Sequence, residues 1–310
     1  MTVLVQSGKP RFDVVVQFGL LALAWGASFL FIKIGLEGLS PAQVVWSRLV
    51  FGALTLGLIM VLTRRPVPRD PVLWGHCAVV ALMLCVVPFL LFSWAEQHIS
   101  SGLASIYNGT TPLTTMVFAA AALHAERITR DRGIGLGLGF AGVLLIIGPW
   151  SIDPGSGLAP QLACLGATTC YGVAFAYLRK FVSPREVPAL TVAFVQVTSG
   201  AVVMVVATPW IAGSALRLTP SVVVSMIVLG AVCTGLAYIW NTNVVGAWGA
   251  ANGAAVTYVT PIVGVVLGIL VLEEPLSWNQ PVGAVLVITG ILAAHGRLTP
   301  NSRTPSGQTG

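Results

Sequence analysis

Residues 25–33 read WGASFLFIK, and residues 171–179, 146 positions later, read YGVAFAYLR. Each stretch is an aromatic residue, a glycine, two further residues and a phenylalanine. A base follows eight positions past the aromatic, Lys33 in the first stretch and Arg179 in the second. Further pairs follow in the same order. Ser40-Pro41 and Ser183-Pro184 are each expected to open the next span, and Trp94 and Trp240 keep the offset of 146. Thr111-Pro112 and Thr260-Pro261 are 149 apart, and Glu126 precedes Gly135 and Gly142 as Glu274 precedes Gly283 and Gly290, 148 later. Ordered features at a nearly constant offset are the mark of a duplicated unit.

What the unit is made of follows from composition. The chain has 310 residues, 56% hydrophobic, and only 8% charged, against about 25% charged in soluble domains. Its mean hydropathy is +0.89. So few charges cannot cover the surface of a water-soluble fold of this size, which leaves an integral membrane protein. Spanning helices need about 20 mostly apolar residues. Runs of that kind fall at 14–36, 41–62, 72–94, 101–123, 133–150, 159–180, 189–211, 220–242, 250–272 and 279–296. The expected fold is therefore all-α and integral to the membrane, with ten transmembrane helices. Connections and tails are short, so an ATPase module, a receptor domain or a globular catalytic domain is not expected. Residues 298–310, rich in Thr, Ser, Pro and Gly, read as a disordered tail.

Five spans per unit is an odd number, so the second unit enters the membrane upside down. The expectation is two inverted five-helix repeats, at 12–150 and 158–297, an architecture associated with alternating access and a site near the bilayer midplane. Direction follows from the bases near the span ends. With the N-terminus inside, 13 of the 16 Lys and Arg residues face the cytoplasm. Arg217 lies outside, and Lys33 and Arg48 sit within or near spans. Both termini are expected on the cytoplasmic side of the cell's inner membrane. The net charge of +6 is scattered through short loops and reads as topology, not as a nucleic-acid surface. The apolar run after Lys9 and Arg11 continues to Ile32, past the cleavage-like Ala22-Leu23-Ala24, so it reads as a retained span.

The matched features sit at similar depth. Trp25 and Tyr171 lie near the middle of their spans, as do Pro112 and Pro261. A proline within a helix frees the carbonyl four residues earlier, here those of Asn108 and Thr257. In hydrocarbon such a group must meet protein, water or substrate. The expected substrate-binding set is Trp25, Ser28, Asn108, Thr111, Pro112, Tyr171, Thr257, Tyr258, Thr260 and Pro261. Lys33, Arg48 and Glu96 are candidate charge partners. Arg48 is expected to snorkel outward or pair with Glu37, and Glu96 with His98 to lie in a solvated loop. No carboxylate falls at midplane, so a proton relay through the core is not expected. The five cysteines fall inside spans without metal-ligand spacing, so no metal and no cofactor is expected.

The spacings Gly135-x3-Gly139, Gly249-x3-Gly253 and Gly264-x3-Gly268 permit close helix approach. They serve packing within the chain, and monomer and homodimer stay open. A secondary carrier for a small amphiphilic metabolite fits these features best, with that substrate and membrane lipids as partners. An intramembrane enzyme would need clustered His, Glu or Asp on one face, and His76, His98, His124 and His295 are dispersed. A non-transporting membrane subunit or sensor is the other alternative.

Trp25-Gly26-Ala27-Ser28-Phe29, the Ser40-Pro41 opening with Arg48, Thr111-Pro112 with Glu126, and Thr260-Pro261 with Glu273-Glu274-Pro275-Leu276, Gln280 and Gly283 resemble the drug/metabolite transporter superfamily, in its EamA-type exporter group. The likeness covers about residues 14–296. It implies ten helices in two inverted repeats around a central path, and export of amino acids or other small metabolites. The first-half counterpart of Glu274-Pro275-Leu276 is Glu126-Arg127-Ile128, which lacks the proline.

Overall fold

A computed structural model describes residues 12–122, 130–148, 158–211, 216–249, 253 and 255–294. The regular structure among the described residues is all helical, with no strand. Helix α1 (Phe12–Gly35) and α2 (Pro41–Leu62) are continuous. Helix α3 (Pro71–Ala95) contains a π-helical turn at Leu82–Val86. The run at 101–123 is broken into α4 (Ser101–Asn108) and α5 (Thr111–Ala122). Helix α6 (Arg130–Ile147) completes the first half. In the second half, α7 (Leu158–Tyr177) runs on through a π-helical turn to a 3₁₀ turn at Ser183–Arg185. There follow α8 (Ala189–Val206), α9 (Pro220–Trp248) with a π-helical stretch at Val228–Leu236, α10 (Val256–Leu272) and α11 (Asn279–Ala294).

Six of these are long and apolar enough to cross a membrane: α1, α2, α3, α7 with its extension, α8 and α9. Three more, within α6, α10 and α11, are shorter apolar helices. The caps explain several starts. Ser40 and Gln43 form a reciprocal capping box on α2, Asp70 caps α3 and Thr219 caps α9, each before a proline in the first turn. Two sequence pairings need correction. Ser183-Pro184 opens only the 3₁₀ turn, whereas α8 begins at Ala189, because the segment before Pro188 leaves the helical region. Asp70-Pro71 and Thr219-Pro220 open α3 and α9 at an offset of 149, so Trp94 and Trp240 are three residues out of register.

The surface is turned inside out relative to a water-soluble protein. Leu54, Leu58, Val61, Val202, Leu270 and Val285 are exposed, while Arg48, Glu96, Gln161, Gln196, Thr168 and Thr234 are buried. Polar groups in such a chain are held in its interior.

The two halves pack across one another in matched pairs. The first helix of each half lies on the helix of the other half that carries the matched proline, α1 on α10 and α7 on α5. The closest approaches are glycines at equivalent places. A Cβ on Gly26 would come 3.0 Å from the Thr260 carbonyl oxygen, and one on Gly172 2.9 Å from that of Thr114. Helices α6 and α11 cross each other backbone to backbone at Gly142 and Gly283, with Gly135 against Gly290. Gly264 and Gly268 let α10 lie along α4, against Ser105, Ser101 and Glu274. The small-residue spacings at 135–139 and 264–268 therefore serve contacts within the chain. Gly249 closes α9 with φ 82, and no atom would crowd a Cβ there.

Candidate functional site

Helix α2 carries Arg48 as its eighth residue, and α8 carries Gln196 as its eighth. Both side chains point into the region where the halves meet. The Nε of Arg48 donates to Thr234 Oγ1 on α9 at 3.0 Å, and its guanidinium lies 3.7 Å from the centre of the Phe89 ring on α3. Gln196 Nε2 donates to Tyr238 on α9 at 2.9 Å and reaches Cys85 Sγ on α3 at 3.6 Å. At the offset of 149, Thr234 is the counterpart of Cys85, and Tyr238 that of Phe89. Arg48 and Gln196 thus make the same two contacts with exchanged helices. The π-helical turns sit at the same place in α3 and α9, and Thr234 donates to the Leu229 carbonyl inside one of them. The wider turn swings Cys85 and Thr234 towards the junction.

Arg48 is 8% exposed, which overturns the snorkelling expected for it. Seven residues into α2 the guanidinium is held back by Thr234 and Phe89, and Glu37 is exposed and pairs with neither base among the described residues. The Nη groups of Arg48 meet no hydrogen-bond acceptor among the described residues. A buried cation in this state lacks its compensating charge.

The aromatic residues of the expected set pack against different cores. Trp25 is half-buried against the core that includes Leu21 of α1 and Leu229 and Cys233 of α9. Tyr171 joins two cores, with its ring 6.2 Å from Phe92. Tyr258 packs against the core that includes Ile106 and Val287. The hydroxyls of Ser28, Thr111 and Thr260 donate to the carbonyls of Ala24, Asn108 and Val256 on their own helices. The two prolines differ from the expected matched pair. Pro112 falls in the first turn of α5, after a break, whereas Pro261 lies inside the continuous α10. The Asn108 carbonyl is already taken by Thr111 Oγ1 at 2.7 Å, so it is not offered to a cavity. Pro261 is buried, and its ring meets Gly109 at the break between α4 and α5. Thr257 lies one turn before Pro261 and is half-buried.

At the end of the bundle near residues 96–101 the structure differs most from the sequence reading. Lys33 donates to the carbonyls of Glu96 and Ile99, where α3 ends and its dipole is negative. Glu96 is wholly buried, not solvated, and the neighbouring Ala95 belongs to a packed core with Phe29 of α1, Leu103 of α4 and Cys164 of α7. His98 is exposed, its ring 5.1 Å from that of Trp94. Glu274, from the second half, accepts from the Ser101 and Gly102 N–H groups and from the Ser101 hydroxyl. Glu273 makes this reach possible by turning the chain through the left-handed region, φ 53. Glu274→Ala leaves those N–H groups unsatisfied and is expected to lower stability by about 1–3 kcal/mol, read by thermal unfolding, with Glu37→Ala as an unaffected control. Glu126, its sequence counterpart, lies outside the described residues.

Gln196, Thr234, Cys85, Phe89 and Tyr238 were not picked out from the sequence. Aligning the halves on Asp70-Pro71 and Thr219-Pro220 would have placed them opposite one another. Among the described residues no group of His, Cys, Asp and Glu could hold a metal.

Comparison with known proteins agrees with this architecture. A solved crystal structure superposes with TM-score 0.62, covering 92% of this chain and 96% of its own, at 16% identity. The uncharacterized transporter YdfC of Bacillus subtilis is 24% identical over 288 residues, 91% of each chain. YvbV of the same organism, also an uncharacterized transporter, is 25% identical over 283 residues, again 91% of each. The uncharacterized inner membrane transporter YedA of Escherichia coli K12 is 25% identical over 286 residues, 89% of each. The EamA-like transporter family model matches twice, at residues 15–148 and 159–294. With its two matched halves, its buried polar junction and its apolar exterior, this membrane protein belongs to the EamA-like transporter family.

Proposed function

We propose that the chain is a secondary transporter and not an enzyme, exporting a small metabolite such as an amino acid across the inner membrane by alternating access. Ten transmembrane helices, in two inverted five-helix repeats at 12–150 and 158–297, carry it, with both termini in the cytoplasm. The crossed pairing of α1 with α10, α7 with α5 and α6 with α11 supports the inversion. The substrate sits where the halves meet, among Trp25, Ser28, Asn108, Thr111, Pro112, Tyr171, Thr257, Tyr258, Thr260 and Pro261.

The observation that carries the reading is the buried, unpaired guanidinium of Arg48 at that junction. It suits a carboxylate, which it takes through two parallel N–H groups. The hydroxyls of Ser28, Thr111 and Thr260 direct their hydrogens to the main chain. What they have left for a ligand is lone pairs, which suit an ammonium group. Vesicles reconstituted with the protein should show saturable amino-acid flux, abolished by Asn108→Ala or Trp25→Ala. Flux untouched by both changes would remove these residues from the path.

A further inference from the structure

Among the described residues, Glu96 is the buried carboxylate for which the geometry supplies no hydrogen bond. Its exposure is 0%, and neither carboxyl oxygen has a partner among the described residues. An ionised carboxylate sealed without a donor is among the costliest groups a fold can hold, whereas the protonated acid costs far less. The charged and titratable groups that act on it are Lys33, Glu274, Arg48 and Cys164. Lys33, on α1, directs its ammonium to the Glu96 and Ile99 carbonyls and makes no ion pair with the carboxylate. Glu274 is engaged with Ser101 and Gly102, and its negative charge opposes a second one nearby. Arg48, on α2, acts only at a distance, and Cys164, on α7, carries no positive charge. Burial dominates, followed by the opposing pull of Lys33, and it holds the Glu96 carboxyl well above the usual carboxylate range.

The seal over Glu96 is made by both halves. Glu274 of the second half is bound to the start of α4 in the first, directly after the Glu96 loop. Parting the halves at this corner would break those bonds and admit water to the carboxyl.

We propose that Glu96 is a proton-binding site coupled to closure of the corner between Lys33, Ser101 and Glu274, so that each closing takes up one proton from the water at that end. Opening releases it to the same water unless the site reopens elsewhere in the cycle. The sign follows from linkage. The closed corner binds the proton more tightly than the open one, so closing is favoured at low pH. It is disfavoured about tenfold per pH unit once the open corner's carboxyl is ionised, until the pH passes the elevated value of the closed corner. The inference rests on the carrier reading only for the corner's opening being part of a transport cycle.

Infrared spectra of the full chain in phosphatidylcholine vesicles test it. A protonated carboxylic-acid band should be present at neutral pH, titrate away on alkalinisation, and be missing in Glu96→Gln. In Lys33→Gln the band should persist to higher pH, because a neighbouring cation that favours ionisation is gone. Amide exchange at residues 101–103, corrected for its intrinsic pH dependence, should quicken about tenfold per pH unit over that linkage range. Glu96→Gln should flatten that response and His98→Gln should leave it intact. A band that is absent, or unchanged in Glu96→Gln, overturns the site. Exchange that ignores pH overturns the coupling. Flux without the band leaves the carrier reading standing and this one fallen; the band without flux does the reverse.

Discussion

Arg48→Gln is expected to reduce amino-acid flux about 100- to 1,000-fold while raising the melting temperature of the substrate-free protein. The two effects have one cause. Glutamine is what the other half carries at the equivalent place, Gln196 on α8, so the substitution makes the junction symmetric and keeps a donor for Thr234. It removes a cation that the described residues leave without an anion. Losing an unpaired buried charge relieves desolvation, which stabilises the empty protein. Losing the partner of a substrate carboxylate removes a buried charge-assisted contact worth about 2–5 kcal/mol, which is the flux. Arg48→Lys keeps the charge and loses the planar stacking on Phe89 and the paired N–H groups, so it should mainly raise KM. Reconstituted flux and thermal unfolding, measured on the same preparations, check both signs. A variant that loses flux and stability together would mark Arg48 as structural instead.

The second large effect is on assembly. Gly142→Ala should destabilise the protein by about 1–3 kcal/mol, the cost of an overpacked contact. A Cβ there would lie 2.7 Å from the Gly283 carbonyl oxygen and 2.8 Å from the Val287 nitrogen. These are backbone atoms, so no side chain can turn aside and the whole α6–α11 crossing must widen. Gly283→Ala should behave alike, since its Cβ would meet the Gly142 carbonyl oxygen at the same 2.7 Å. Gly137→Ala, on the same helix with nothing near its Cβ, should be neutral or stabilising by up to about 1 kcal/mol, the helix preference of alanine over glycine. Thermal unfolding of the three variants in one detergent decides. Equal losses in all three would mean that the close approach at Gly142 and Gly283 does not set the outcome.

Much of the molecule was legible in the chain alone because its signals are local. Scarce charge and long apolar runs set the class, and the runs beginning at 41, 72 and 220 fall within a residue of the starts of α2, α3 and α9, although α9 continues to Trp248, past the end of its run at 242. The repeat was visible wherever a distinctive residue marked both copies, as at Trp25 and Tyr171. It failed where the marker was commonplace. Ser183-Pro184 looks like Ser40-Pro41, yet it closes one helix instead of opening the next. Two prolines in matched Thr-Pro pairs landed in different settings, one after a helix break and one within a helix.

What the sequence by itself determined was an apolar helical chain built twice over and made for the membrane, because hydropathy, helix caps and repetition act over a few residues at a time. Only the tertiary structure decided which polar groups face one another. Arg48 and Gln196 are 148 residues apart, and they acquire common neighbours solely because α3 and α9 bring Phe89, Cys85, Thr234 and Tyr238 between them. Glu96 stands at a helix end, where sequence predicts water. It is dry because Glu274, far along the chain, ties the other half over it. Burial is a property of the assembled halves, and the state of a carboxyl or a guanidinium follows from burial.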